Sequence, residues 1–312
     1  MSIKPRDKIM SLPANKTFAG RTETGRVGCK YCKSSDVVRW GKSDDKQRYI
    51  CKSCGKTFLD DGAFPGMRTN ARAISMALNL YFDGLSLSKI VKHLKSAYGI
   101  MLSRVAIWKW IQKYVPMVKK LVEKLSLDIA HSWHADETAV KIKGKLNWFW
   151  DGIDYSTRYI VMGMLAKNRD LGVARAFFKG AKANASGSAP ELIVTDGAGA
   201  YRKGIARSFW RNILRSECKY IRKPGLRAKD GKLSNNVIER FHNTLKERIK
   251  IMRGFGSGKG AENVLDGFVI QYNFMRPHTT LDGKTPAEAA GLQLPIENGW
   301  GDFIQWATNE SG

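Results

Sequence analysis

The stretch Trp133-His134-Ala135-Asp136-Glu137-Thr138-Ala139-Val140-Lys141-Ile142 alternates with the period of a strand, and together with the elements after it decides the fold. Lys143-Gly144-Lys145 turns, Leu146 to Ile153 runs back, Asp154-Tyr155-Ser156-Thr157 turns again, and Arg158 to Leu165 makes a third strand. Asp170 can then cap a helix that reaches Gly180. After a glycine, serine and alanine loop, Glu191-Leu192-Ile193-Val194-Thr195 reads as a buried strand ending at Asp196-Gly197. A helix from about Tyr201 to Trp210 and a strand from Cys218 to Arg222 come next. A three-strand antiparallel meander followed by alternating helices and strands predicts an α/β domain built on a mixed five-stranded sheet.

The segment Ser234-Asn235-Asn236-Val237-Ile238-Glu239-Arg240-Phe241-His242-Asn243-Thr244-Leu245-Lys246-Glu247-Arg248 reads as an amphipathic helix. Val237, Phe241, Leu245 and Ile249 recur at a spacing of four with Ile238 beside them, so this side is expected to face a core. At about 100° per residue, Glu239, Asn243, Lys246 and Lys250 share the opposite side. One carboxylate in an amide and cationic row suits an acid that holds a metal ion while its neighbours grip phosphates. On an isolated helix the same row would be an ordinary solvated face. The element order is that of a ribonuclease H-like fold, in which Asp136 falls within the first strand, Asp196 at the end of the fourth and Glu239 on a late helix. Three acids brought together from such distances are what two Mg²⁺ ions need for phosphoryl transfer, because hard cations take oxygen ligands. Glu137 is expected on the opposite face of the strand from Asp136, and Asp151 and Asp154 at surface or turn positions. His134 shares a face with Asp136 and is expected to be a structural neighbour.

At 312 residues the chain exceeds the usual single core, and two or three domains are expected. Its 53 Lys and Arg against 28 Asp and Glu leave a formal charge of +25. Between residues 201 and 260 there are 17 Lys and Arg and only four acids, Glu217, Asp230, Glu239 and Glu247. Such an excess costs self-repulsion and points to a polyanionic partner whose counterions are released on binding. An anionic membrane competes for that role, but no apolar run approaches spanning length and Met1 to Phe18 hold no continuous apolar signal region. A soluble, intracellular chain is expected.

Cys29-x2-Cys32 and Cys51-x2-Cys54, separated by 18 residues, have the spacing of a four-thiolate site for one structural Zn²⁺. Val37-Val38-Arg39-Trp40 and Arg48-Tyr49-Ile50 would be short strands that bring the two knuckles together. So small a domain buries too little apolar surface to fold unaided, and the metal would supply much of its stability. A reducing compartment argues against disulfides. Cys218 stands alone and is expected to be a buried apolar residue.

Three helices are expected next: Arg72 to Phe82 ending at Asp83-Gly84, about Ser88 to Ala97 stopping at Gly99, and Arg104 to Tyr114 capped by Ser103. Val105, Trp108, Ile111 and Val115 would face the core, with Lys109 and Lys113 outward. Three helices with short turns, the last basic at its start, form the pattern of a helix-turn-helix, with Ser103, Arg104, Ala106 and Lys109 toward a major groove. A small linking bundle is the alternative. The expected division is a flexible basic tail (1–24), a zinc ribbon (25–62), a helix-turn-helix domain (66–126), the α/β domain (127–294) and a C-terminal tail (295–312).

Trp133 to Thr138, Val194 to Gly197, and Asn235 to His242 with Lys246 resemble the DDE insertion-sequence transposases of bacteria and archaea, most nearly the insertion-sequence-six type. Arg276-Pro277-His278, with Leu281 to Pro286, is similar to the closing segment of that superfamily and of related integrases. The resemblance spans roughly Cys29 to Leu292. It implies a DNA transposase that binds the terminal inverted repeats of its element, cuts the strand and joins it to target DNA. It implies Asp136, Asp196 and Glu239 as ligands of two Mg²⁺ or Mn²⁺ ions, and Lys246 as a DNA contact beside the cut end, within a basic face that includes Arg240, Asn243 and Lys250. The partners would be double-stranded element ends and target DNA, with further copies of the chain as a dimer or larger synaptic complex, at the prokaryotic nucleoid. A non-catalytic DNA-binding regulator and a structure-specific nuclease are the alternatives. The 42 residues between Asp196 and Glu239 exceed what the resemblance implies, and the surplus is the basic loop Lys223 to Lys232.

Overall fold

The computed structural model describes residues 27–43, 46–125, 127, 129, 131–212, 215–216, 219–222, 235–252 and 254–310. The basic tail, Cys218 and the Lys223–Lys232 loop lie outside these residues. The chain forms two compact units: residues 122–292, and residues 1–121 together with 293–312.

In the discontinuous unit, β1 (Val37–Ser43), β2 (Lys46–Cys51) and β3 (Thr57–Leu59) make an antiparallel sheet in that order. The third strand adds to the two anticipated. Its core is thin: Cys29, Cys51 and Phe58 are buried, with Val27, Tyr31, Val37, Tyr49 and Cys54 packed around them. Helix α1 (Ala71–Phe82) starts where Asn70 Oδ1 accepts the Arg72 amide at 2.8 Å. Helix α2 (Leu87–Tyr98) is capped by Ser86 and ends at Gly99, whose φ of 65° is the left-handed conformation that glycine adopts without strain. Helix α3 (Arg104–Val122) runs past the expected end at Tyr114 and through Pro116. Its buried stripe is Ile107, Trp110, Ile111, Tyr114, Val115 and Val118. Val105, expected inside, is 60 % exposed, and Trp108 is only partly buried, because Trp110 and Tyr114 take the core positions. The segment read as a C-terminal tail contains a helix, Trp300–Glu310. Trp300 is fully buried and stacks on Phe82 at 4.7 Å, while Asn79 Oδ1 accepts its amide at 3.0 Å.

In the other unit the sheet contains β4 (Ser132–Ile142), β5 (Lys145–Asp154), β6 (Ile160–Ala166), β7 (Leu192–Thr195) and β10 (Lys219–Arg222), ordered β10-β7-β4-β5-β6. The first three form the expected meander, and β7 and β10 add in parallel. Lys143 and Gly144, both at positive φ, make the two-residue turn that suits the twist of a hairpin. Helices α4 (Leu171–Asn184) and α5 (Gly199–Phe209) cover one face, where Trp150 packs on Phe177 and Tyr201. A short hairpin, β8 (Trp210–Asn212) with β9 (Arg215–Ser216), occupies the stretch between α5 and β10. Helices α6 (Asn236–Met252) and α7 (Gly258–Phe274) cover the other face, before a short α8 (Pro286–Ala289). Asn273 fastens α7 to β6: its Oδ1 accepts the Ile160 amide at 2.8 Å and its Nδ2 donates to the Ile160 carbonyl at 3.0 Å. A Cβ on Gly163 would meet Phe149 at 2.8 Å and Val269 at 3.2 Å, so α7 lies against β6 only because that position has no side chain.

Candidate active site and thiol cluster

Strand β4 pairs in parallel with β7, and the register ends at Ala135 opposite Thr195. One step further along come Asp136, within β4, and Asp196, just past the end of β7. Adjacent strands lie about 4.8 Å apart, so the two positions are neighbours at the carboxyl end of β7. Asp196 is exposed, and its Oδ1 accepts the Ala198 amide at 2.9 Å as the chain turns through Gly197. The Asp136 side chain is 22 % exposed, and its Oδ1 accepts the Glu137 amide at 2.9 Å.

Helix α6 is held over this edge by a residue whose role the sequence did not reveal. His242 is buried; its Nε2 lies 2.7 Å from Asp151 Oδ1 and its Nδ1 lies 3.6 Å from Asp136 Oδ2. Glu239 is one turn earlier on the same side of the helix and is exposed, as are Asn243, Lys246 and Lys250. The buried stripe is Ile238, Phe241, His242, Leu245 and Arg248. Val237 and Ile249, expected in the core, are only partly buried. The helix is rotated so that His242 faces the sheet and the Glu239 row faces solvent.

Asp151 corrects the expectation of a surface or turn residue: it is fully buried and stands opposite Asp136 in the β4–β5 register. Helices cover both faces of the sheet, so β5 has no solvent side. The available signal was its alternation with Phe149 and Ile153, which marks an inward position. Asp154 is also buried, and it does serve the turn: its Oδ2 accepts from the Thr157 amide at 2.9 Å and the Thr157 hydroxyl at 2.8 Å. Glu137 points to the other face, as expected, where Tyr201 donates to its Oε2 and Arg169 Nη1 lies 3.1 Å from its Oε1. His134 is buried and stacks on Tyr155 at 5.4 Å.

Burial pushes Asp136 up to about 6, with His242 opposing that rise. Burial raises Asp151 as well, and again His242 opposes it. For His242, burial alone would favour the neutral ring, but Asp151 and Asp136 outweigh it and raise the imidazole above its ordinary value. His242 therefore stands between the buried Asp151 and Asp136, and both favour its protonated form. Lys246 also acts on both Asp151 and His242, which places its charge near the edge. The oxygens of Asp136, Asp196 and Glu239 are of the hard type that Mg²⁺ or Mn²⁺ takes, and the three acids are open to hydrated ions. Among the described residues their oxygens do not come together as a metal-sized group.

The four cysteines do close into one. Their Sγ atoms all lie within 4.8 Å of one another, with Cys29–Cys54 at 3.6 Å and Cys32–Cys51 at 3.5 Å. A disulfide needs about 2.05 Å, whereas tetrahedral Zn–S bonds of about 2.3 Å put neighbouring sulfurs about 3.8 Å apart. The thiols are free and fit Zn²⁺. The Tyr31 amide points at Cys29 Sγ at 3.4 Å, as in a metal-binding knuckle.

In the three-helix segment, Ser103 caps α3 by accepting the Ala106 amide at 3.0 Å. Ser103, Arg104 and Lys109 are exposed, with Val105 among them, while Ala106 is partly buried. Lys113 is committed locally: its Nζ lies 5.1 Å from the Tyr114 ring centroid and 3.3 Å from Met67 Sδ.

Residues 130–278 match a family of DDE domains, DDE_Tnp_IS240. The chain is 22 % identical over 225 residues to the transposase for insertion sequence element IS257 in transposon Tn4003 of Staphylococcus aureus, covering 72 % of this chain and 95 % of that protein. The transposase for the insertion sequence-like element IS431mec of the same organism matches to the same extent. Among solved structures, a simian T-cell lymphotropic virus intasome in complex with PP2A regulatory subunit B56 gamma aligns at TM-score 0.40 and 14 % identity, over 71 % of this chain and 76 % of that one. The HTLV-2 integrase catalytic core domain in complex with magnesium aligns at TM-score 0.37 and 15 % identity, over 53 % and 99 %.

Proposed function

Because the chain belongs to the DDE-type transposases of the insertion-sequence-six type, and so is a polynucleotidyl transferase, we propose that it acts on the terminal inverted repeats of its own element through Asp136, Asp196 and Glu239. The observation that supports this reading is the parallel β4–β7 register, which runs up to Asp136 and Asp196, with His242 of α6 beside Asp136. Two divalent ions held by the three acids would activate the attacking oxygen and stabilise the leaving one. The chain's own groups do the rest. Water attacks a phosphodiester at the element end and frees a 3′-hydroxyl; that hydroxyl then attacks a target phosphodiester, one bond forming as another breaks. Lys246, beside the edge, holds the cut strand by its phosphate, and Arg240, Asn243 and Lys250 extend the contact along α6.

Ser103, Arg104 and Lys109 face out from the start of α3 and read the repeat in the major groove, with Lys113 at the margin. Copies of the chain pair the two element ends in a dimer or larger complex, at the nucleoid of a prokaryotic cytoplasm. The test is a labelled element end incubated with Mg²⁺ or Mn²⁺ and a target plasmid, where cleaved and joined products are expected. Cleavage without joining would make the protein a nuclease. Binding as a synaptic complex with neither product would make it a regulator.

A further inference from the structure

Helix α6 has a second flank. Going round its axis, Glu239, Asn243 and Lys246 occupy one side, Ile238 and Leu245 the buried side, and Val237, Arg240 and Thr244 the side beyond. That far flank, the turn before β6 and the chain after α7 enclose a pocket of about 210 Å³. Three arginines line it, Arg158, Arg240 and Arg276, together with Thr244, Thr279 and His278. No carboxylate lines it, and none of the three arginines forms an ion pair among the described residues.

Three features go beyond a solvated basic surface. Arg158 Nη1 is buried with no hydrogen-bond partner, a costly state for a charged donor. Arg158 also has a φ of 61°, a left-handed conformation that a residue with a long side chain adopts at a cost and that often marks a functional position. Its guanidinium lies 4.6 Å from the Tyr155 ring centroid, which holds it in place. His278 Nε2 is likewise buried without a partner. Burial, with Arg276 and Arg158 nearby, lowers His278 to about 4, so the ring is neutral near pH 7 and the arginines supply the charge. At about 210 Å³ the pocket is smaller than the roughly 300–1,000 Å³ of drug-sized ligand sites and has room for a phosphate group. Planar guanidinium donors converging with hydroxyls match the oxygens of a phosphate.

We propose that the pocket formed by Arg158, Arg240 and Arg276 binds one backbone phosphate of DNA, a few nucleotides from the phosphate at Glu239. Arg240 follows Glu239 in sequence and leaves α6 about 100° round its axis, so the pocket and the acid face different directions and would take different phosphates. The distance from the cut rests on the function proposed above; the phosphate binding does not.

The experiment uses the full chain with its zinc and a fluorescent element-end duplex in which single phosphates are replaced, one at a time, by neutral methylphosphonates. Wild type is expected to lose about ten- to a hundred-fold in affinity at one or two positions. Arg276→Gln and Arg158→Gln should each lose a similar factor on unmodified DNA, show no further loss at those positions, and lower the salt slope by about 0.9. Lys259→Gln, which removes one exposed charge elsewhere, should bind as wild type does. Thermal melts identify a variant that fails to fold, and Arg276 is exposed, so its variant keeps the test available. A flat methylphosphonate scan overturns the proposal. If inorganic phosphate alone then binds in an Arg276-dependent manner, the site takes free anions; if it does not, an acidic protein partner is left. Cleavage with a flat scan refutes the pocket alone. A positional scan without cleavage refutes transposition and leaves the pocket standing.

Discussion

His242 Nε2 and Asp151 Oδ1 are 2.7 Å apart across the α6–β5 contact, and both side chains are buried. Removing one partner of such a pair leaves the other charged or polar and desolvated. Asp151→Ala and His242→Ala are each expected to destabilise the residue 122–292 unit by about 3–5 kcal/mol. The double variant should cost clearly less than the sum, because the second substitution removes the group that the first left unpaired. Urea unfolding followed by tryptophan fluorescence measures all three; strict additivity would mean that the contact carries no coupling.

Asp136, at about 6, and His242, also raised, both hold their protons more tightly when folded. Their stabilising contribution is complete below their unfolded values and is lost as pH rises through the folded ones. Protein stripped of divalent ions should therefore lose stability from about pH 4 to pH 6 through Asp136, and further above about pH 6.5 through His242. A cation must displace the Asp136 proton, so Mn²⁺ affinity should rise by roughly tenfold per pH unit up to about 6 and then level off. Calorimetric titration at several pH values tests this, and Asp136→Asn should abolish that dependence.

Asp136→Asn, Asp196→Asn and Glu239→Gln keep shape but remove the negative charge that holds the ions. Each should abolish cleavage and joining while leaving repeat binding near wild type, and their losses should not add. Lys246→Ala should give a partial defect that worsens with salt, since its contact is electrostatic. Full activity of Glu239→Gln, with loss on changing Glu247 or Asp230, would assign the third acid elsewhere.

The ribbon's core of Cys29, Cys51 and Phe58 is too small to hold the sheet alone. Elemental analysis should find about one Zn²⁺ per chain. Cys51→Ser or chelation should loosen residues 27–60 to proteolysis and leave the residue 122–292 unit folded. Zinc-free protein with an intact ribbon would refute the metal.

At α3, Arg104→Ala and Lys109→Ala should weaken repeat binding by about 1–3 kcal/mol more than binding to random DNA. Lys113→Ala should matter less, because its ammonium group is already occupied by Tyr114 and Met67. Equal loss on both DNAs would reassign Arg104 and Lys109 to phosphates, and no loss would make the three helices a linking bundle.

The meander from Trp133 to Leu165, the capped helices and the paired cysteine knuckles were legible in the chain because alternation, caps and turns act over a few residues. The three acids were singled out by their motifs, and their joint role is the proposal above. Which side of each element meets which neighbour was settled by tertiary packing alone. The rotations of α3 and α6 turned on how Trp110, Tyr114 and Phe241 pack, and a one-dimensional pattern leaves a helix's facing uncertain by tens of degrees. Trp300 left no signal that its helix would stack on Phe82, more than two hundred residues earlier. Asp151 shares a strand face with Phe149 and Ile153, a pattern readable in the sequence, but its full burial depends on the helices that cover the sheet. Burial and charge pairing are properties of surroundings assembled from distant segments, and so the His242 bridge between Asp151 and Asp136 exists only in the folded chain.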